Sequence, residues 1–119
     1  MNLIHKTKDL MEEIHWFFQR GKKGYCEKDL WELDTWFCTT FAQMMKEFSE
    51  KNISYPEPDI FAQYDEEKFL KWKSLTYEIA TLFESARRPQ HYCSPTEVQL
   101  ESVNKAFTLL SENFYDLWW

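Results

Sequence analysis

An all-α fold is predicted by three observations on this 119-residue sequence. Apolar residues recur at steps of three and four in four long stretches, the period of a helix face and not of a strand. Only two glycines and four prolines occur, and Gly21, Gly24, Pro56, Pro58, Pro89 and Pro95 all lie outside those stretches. Tight turns are therefore too few for a many-stranded sheet. Aromatic residues make up 18% of the chain, enough large apolar surface to offset the entropy of ordering a domain this size. The expectation is one compact four-helix domain over residues 1–119, with a proline-containing loop between its second and third helices.

The first helix is predicted from Leu3 to Arg20, where Leu3, Leu10, Ile14, Phe17 and Phe18 share one side. Gly21 is expected to end it by permitting a left-handed conformation. The second runs from Glu27 to about Lys51, with Leu30, Leu33, Phe37, Phe41, Met44 and Phe48 as its stripe. Glu27 and Asp29 suit the positive end of its dipole, and Lys46 and Lys51 the negative end. Residues 52–64, "NISYPEPDIFAQY", have no period, so they read as an extended crossing pinned to the body by Tyr55, Ile60, Phe61 and Tyr64.

Asp65 is predicted to cap a third helix reaching about Arg87, with Trp72, Leu75, Ile79, Leu82 and Ala86 on one stripe and Phe69, Thr76 and Phe83 beside it. Before the fourth, Ser94 reads as the cap, Pro95 as the first helical residue and Glu97 as the acid reaching back to the cap amide. Leu100, Val103, Phe107, Leu110, Phe114 and Leu117 then form the last stripe.

Composition narrows the function. The formal charge is −6 with a pI near 5.1; this disfavours direct binding to nucleic acid, where many Lys and Arg must displace counterions. An acidic protein meets a basic surface more naturally. Lys6 and Lys8 precede no uninterrupted apolar run, and no stretch approaches the roughly 20 apolar residues of a membrane span, so neither a signal peptide nor a membrane partner is expected. Cys26, Cys38 and Cys93 are odd in number and lack framework spacing, which suits reduced thiols.

No nucleophile elbow, phosphate loop, dinucleotide fingerprint or metalloprotease motif occurs, and His91 with Cys93 lacks the paired spacing of a zinc site. No catalytic, cofactor-binding or metal-ligating residue is assigned. Asp34, lying between Leu33 and Phe37, is predicted to be withdrawn from water and to need a cationic partner. Arg20 is the first candidate for that structural ion pair, because the Gly21–Gly24 turn folds one helix end back on the next; Arg87 or Arg88 is the second.

Two surfaces compete for a binding role. Trp31, Trp36, Trp118 and Trp119 exceed what a core this size requires, and Tyr55, Glu57, Asp59, Asp65, Glu66 and Glu67 place acids around aromatic anchors, the chemistry of a surface meeting a basic protein. Against this, Arg20, Lys22, Lys23, Arg87 and Arg88 with nearby Tyr25, His91 and Tyr92 would suit a nucleotide or nucleic-acid binding module. A small enzyme is the third class, and demands a concave pocket with polar groups converging on Asp34.

The segment "WFFQRGKKGYCEKDLWELDTWF", residues 16–37, resembles the RG(R/K)xG(Y/W)xxxDxWxLDxW signature of small helical proteins encoded by bacteriophages and prophages, mostly of unknown function. Arg20, Gly21, Gly24, Asp29, Trp31, Asp34 and Trp36 match the pattern, whereas Cys26 and Trp119 depart from it, a cysteine at 26 making a poor helix cap. The third helix and the ending "AFTLLSENFYDLWW" are similar to later segments of that group. The resemblance implies a mobile-element origin and a place in the cytoplasm of a bacterial host. By analogy with other small acidic phage proteins, it implies a non-catalytic inhibitor that binds a host protein with a basic surface, such as a CRISPR nuclease or other anti-phage defence factor. No cofactor is implied, and the oligomeric state, a homodimer included, is left open by the sequence.

Overall fold

In a computed structural model describing residues 3–89 and 93–118, helices form wherever apolar residues recur at helical spacing. They are α1 (Leu3–Lys23), α2 (Glu27–Trp31), α3 (Leu33–Lys51), α4 (Glu66–Ala86) and α5 (Glu97–Asn113), followed by a 3₁₀ turn at Phe114–Asp116. Among the described residues there is no strand. Among the described residues the fold is all-helical, with five α-helices where four are expected.

The extra helix arises at Glu32, whose φ of −131° and ψ of 53° interrupt the predicted second helix and separate the five-residue α2 from α3. Helix α1 continues through Gly21 to Lys23. The left-handed residue is instead Gly24, at φ 84°, whose N–H donates to the Arg20 carbonyl at 2.8 Å. Asp65 caps α4 as expected, its Oδ1 accepting from the Glu67 and Lys68 N–H groups at 2.9 and 3.3 Å. The cap of α5 is Thr96 and not Ser94. Its hydroxyl accepts from the Gln99 N–H at 3.2 Å, while Gln99 Oε1 accepts from the Thr96 N–H at 2.8 Å, a reciprocal pair shifted two residues along.

The packing falls into two units, Met1–Trp36 and Phe37–Trp119, where the sequence predicts one domain over 1–119. In the second unit, Cys38, Ala42 and Met45 of α3 meet Ile79, Ala80, Phe83 and Ala86 of α4 and Ala106 and Leu110 of α5. The buried line on α3 is thus offset by one residue from the aromatic stripe, because small side chains let helix backbones approach. Phe37, Phe41 and Phe48 flank that line half-buried, while Met44 is exposed. Ser49 Oγ also donates across to the Lys73 carbonyl of α4 at 2.8 Å. Of the predicted α5 stripe, Leu110 is buried and Val103 and Leu117 are half-buried. Leu100, Phe107 and Phe114 stay largely exposed, although Phe107 stacks on Phe37 with centroids 5.8 Å apart. Of the three cysteines, Cys26 in the first unit and Cys38 in the second are buried, and Cys93 is exposed.

Candidate functional site

In the first unit, the C-terminal turn of α1 carries Arg20, and the Gly24 turn brings α2 back beside it. Arg20 donates from its terminal Nη2 to Asp29 Oδ1 at 2.9 Å and from Nε to Asp29 Oδ2 at 3.3 Å, a two-pronged contact. Asp29 Oδ2 also accepts the Cys26 N–H at 2.8 Å, so one carboxylate holds both the helix start and the end of the preceding helix. Gln19 Oε1 takes the Glu27 N–H at 2.9 Å. Trp16 meets Trp31 edge-on at 5.9 Å, and Lys28 Nζ lies 5.4 Å from the Trp16 ring centroid.

The acid that Arg20 grips is therefore Asp29, not Asp34. Asp29 is 6% exposed, whereas Asp34 is exposed in the first turn of α3. The break at Glu32 is the physical reason: it ends the continuous helix on which Asp34 would have stood between buried Leu33 and Phe37, and Leu33 is itself exposed. Cys26 does occupy the N-cap of α2, and its weak capping side chain is offset by Asp29 reaching back to its N–H.

The Arg20 guanidinium, helped by the Cys26 amide and opposed by burial, lowers the Asp29 carboxyl from its ordinary 3.8 to about 2. Because the folded-state value lies below the unfolded one, the lock contributes fully above about pH 4 and is lost as pH falls toward 2. Acid titration followed by the NMR shift of the Cys26 amide is expected to show that amide released between those values. An amide already free at pH 5 would remove the lock.

In the second unit, residues 52–65 form a loop tied at its ends. The Asp65 N–H donates to the Tyr55 hydroxyl oxygen at 2.8 Å, and Lys68 Nζ bonds Glu57 at 2.8 Å across the base. Tyr55, Tyr64 and Phe69 gather with centroids 5.9 to 6.4 Å apart. At the tip the Ala62 N–H reaches the Asp59 carbonyl at 3.1 Å, and the Phe61 N–H reaches Asp59 Oδ1 at 2.9 Å, a side-chain turn that fixes the bend. Lys68 and the Asp59 amide lower the Glu57 carboxyl, so it stays ionised.

Tyr55 is half-buried and anchors the loop, but Ile60 and Phe61, expected to pin it, point outward and are 86% and 87% exposed. Asp59, Glu66 and Glu67 are also exposed, Glu67 with Lys71 Nζ at 3.2 Å, and no lysine or arginine lies between residues 57 and 67 in the sequence. The loop is bent by its own hydrogen bonds and keeps Ile60 and Phe61 in water, with carboxylates close by in sequence.

Trp31 is largely exposed, and Trp36 is half-buried. Trp118 lines an open apolar groove of about 500 Å³ with Phe41, Met44, Met45, Phe48 and Leu117. Trp119, His91 and Tyr92 lie outside the described residues. Of the predicted basic patch, Arg20, Lys22 and Lys23 belong to the first unit and Arg87 and Arg88 to the second. Arg20 is committed to Asp29, Arg87 donates to Thr39 Oγ1 at 3.3 Å, and Arg88 donates to the Cys93 carbonyl at 2.9 Å. Among the described residues no three His, Cys, Asp or Glu side chains gather as metal ligands, and no helix is long and apolar enough to cross a membrane. No protein-family model, curated protein or solved structure matches the chain.

Proposed function

We propose that this protein is a non-catalytic binder of another protein, and that the loop at 52–65 is its contact element. The observation that carries the reading is the exposure of Ile60 and Phe61 on a loop bent by Asp59 and clamped by Tyr55, with Asp59, Asp65 and Glu66 close to them in sequence, while Glu57 and Glu67 pair with Lys68 and Lys71. A bulky apolar anchor that is already ordered loses little entropy on docking, and the excess of carboxylates over lysines near it in sequence favours a partner of opposite sign. The favoured partner is a basic protein surface, which the loop occludes.

The resemblance of residues 16–37 to phage and prophage proteins supports a concrete version. In that version the partner is a bacterial host protein, such as a CRISPR nuclease or another anti-phage defence factor, and the chain acts in the host cytoplasm. Tagged protein incubated with bacterial lysate is expected to retain a basic protein that is lost when both tip residues are changed, Ile60→Ser with Phe61→Ser, while helix content by circular dichroism is unchanged. Equal retention by the variant would move the contact elsewhere, and recovery of RNA or DNA alone would overturn the reading.

A further inference from the structure

The tip of the loop is shaped by short-range bonds and tied down by one that reaches further. The Phe61 N–H donates to Asp59 Oδ1 at 2.9 Å and the Ala62 N–H to the Asp59 carbonyl at 3.1 Å. Bonds that span two or three residues fix the shape of a bend but not its direction relative to the helices. Direction needs a bond to the body. Among the described residues, the only hydrogen bond from residues 56–64 to α4 is made by Glu57, whose Oε2 accepts from Lys68 Nζ at 2.8 Å across eleven positions of sequence. Its other oxygen, Oε1, accepts the Asp59 N–H at 3.2 Å. One carboxylate thus joins the first turn of α4 to the residue that makes the bend.

Both ends of this bridge are built in. The Lys68 N–H donates to Asp65 Oδ1 at 3.3 Å, and α4 is anchored further along by buried Trp72, Thr76 and Ile79. The Glu57 side chain is only 20% exposed, whereas Asp59, Ile60 and Phe61 stand open to water. Lys68 and the Asp59 amide both favour the charged form of Glu57, so the carboxylate keeps its two partners at neutral pH.

We propose that Glu57 is a positioning residue for the contact loop: it sets the direction in which Ile60 and Phe61 leave the body and does not itself meet the partner. The inference rests on the loop being the contact element, and it separates Glu57 from the exposed carboxylates of Asp59 and Glu66. Holding two apolar side chains in one orientation before docking removes part of the ordering cost that a loose tip bears. Glu57 therefore adds affinity through Ile60 and Phe61.

Backbone amide NMR relaxation of the full chain tests the support without any partner. Residues 59–62 of the wild type are expected to have order parameters of about 0.85, falling below about 0.6 in Glu57→Ala and in Lys68→Met. The Glu67 amide, held by Asp65, should stay ordered in both variants. A tip already loose in the wild type, or one that stays ordered in either variant, would overturn the proposal. Retention of the basic partner from bacterial lysate separates support from contact. Lys68→Met removes a positive charge and leaves the Glu57 carboxylate in place, so a direct contact by Glu57 predicts equal or stronger retention. Positioning predicts retention about three- to tenfold weaker, and equal or stronger retention would overturn it. Full retention by the Ile60→Ser, Phe61→Ser variant sinks the loop reading and the positioning role with it. Lost retention in that variant together with an ordered tip in Glu57→Ala sinks the positioning role alone.

Discussion

Phe83→Ala is expected to destabilise the second unit by about 3–5 kcal/mol, as for large aromatic-to-alanine truncations in cores. Phe83 is fully buried on α4 and stands edge-on to three rings. Its centroid lies 5.4 Å from Phe37, 5.3 Å from Phe41 and 5.1 Å from Phe107, with interplanar angles of 76°, 85° and 90°. Truncation removes the ring's transfer free energy and these edge-to-face contacts together, and leaves a cavity that stacked Phe37 and Phe41 cannot close without breaking their own pairing. Since a domain of this kind is stable by about 5–15 kcal/mol, the variant should be partly unfolded near body temperature. Urea unfolding followed by circular dichroism measures the loss, and Phe83→Leu should recover much of it. A difference below about 1 kcal/mol for alanine would mean that the aromatic cluster is not the keystone of this unit.

The second large effect is an asymmetry in the first unit. Arg20→Ala should cost about 2–3 kcal/mol, because it strands a carboxylate that is 6% exposed with only the Cys26 N–H to hold it. Asp29→Ala should cost less, about 1–2 kcal/mol, because the guanidinium released is already half exposed and rehydrates, leaving only the Cys26 amide short of an acceptor. Hydrogen exchange of the Gly24 and Cys26 amides reports the order directly. If removing the acid proved the worse of the two, burial of Asp29 would not be what makes the pair matter.

Much of the fold was legible because the signals are local. The stripe of α4 names the right side, those of α3 and α5 mark only its margin, and Asp65 announces α4 by a rule of three residues' reach. What escaped depends on neighbours. Burial on α3 falls on Cys38, Ala42 and Ser49, which no hydrophobicity pattern favours, because close approach of helices rewards small size. Nothing in the local sequence marks Glu32 as a break.

The mistaken acid is instructive in the same way. Cys26-x-x-Asp29 has capping-box spacing, which could have identified Asp29 as the reaching acid, but a cysteine in the first position disguises it. The loop was legible as a loop from Pro56 and Pro58. That Ile60 and Phe61 turn outward follows from the Asp59 hydrogen bonds, which depend on a conformation and not on residue type.

The placement of the three thiols turns the molecule into its own recorder. Cys93 stands open to reagent, while Cys26 sits in one unit and Cys38 in the other, both shielded. A maleimide added to the native protein should therefore modify Cys93 at once, as an internal clock, and reach the other two only when their surroundings part. Two separate slow rates would mean that the halves breathe independently; a single shared rate would mean that they let go together.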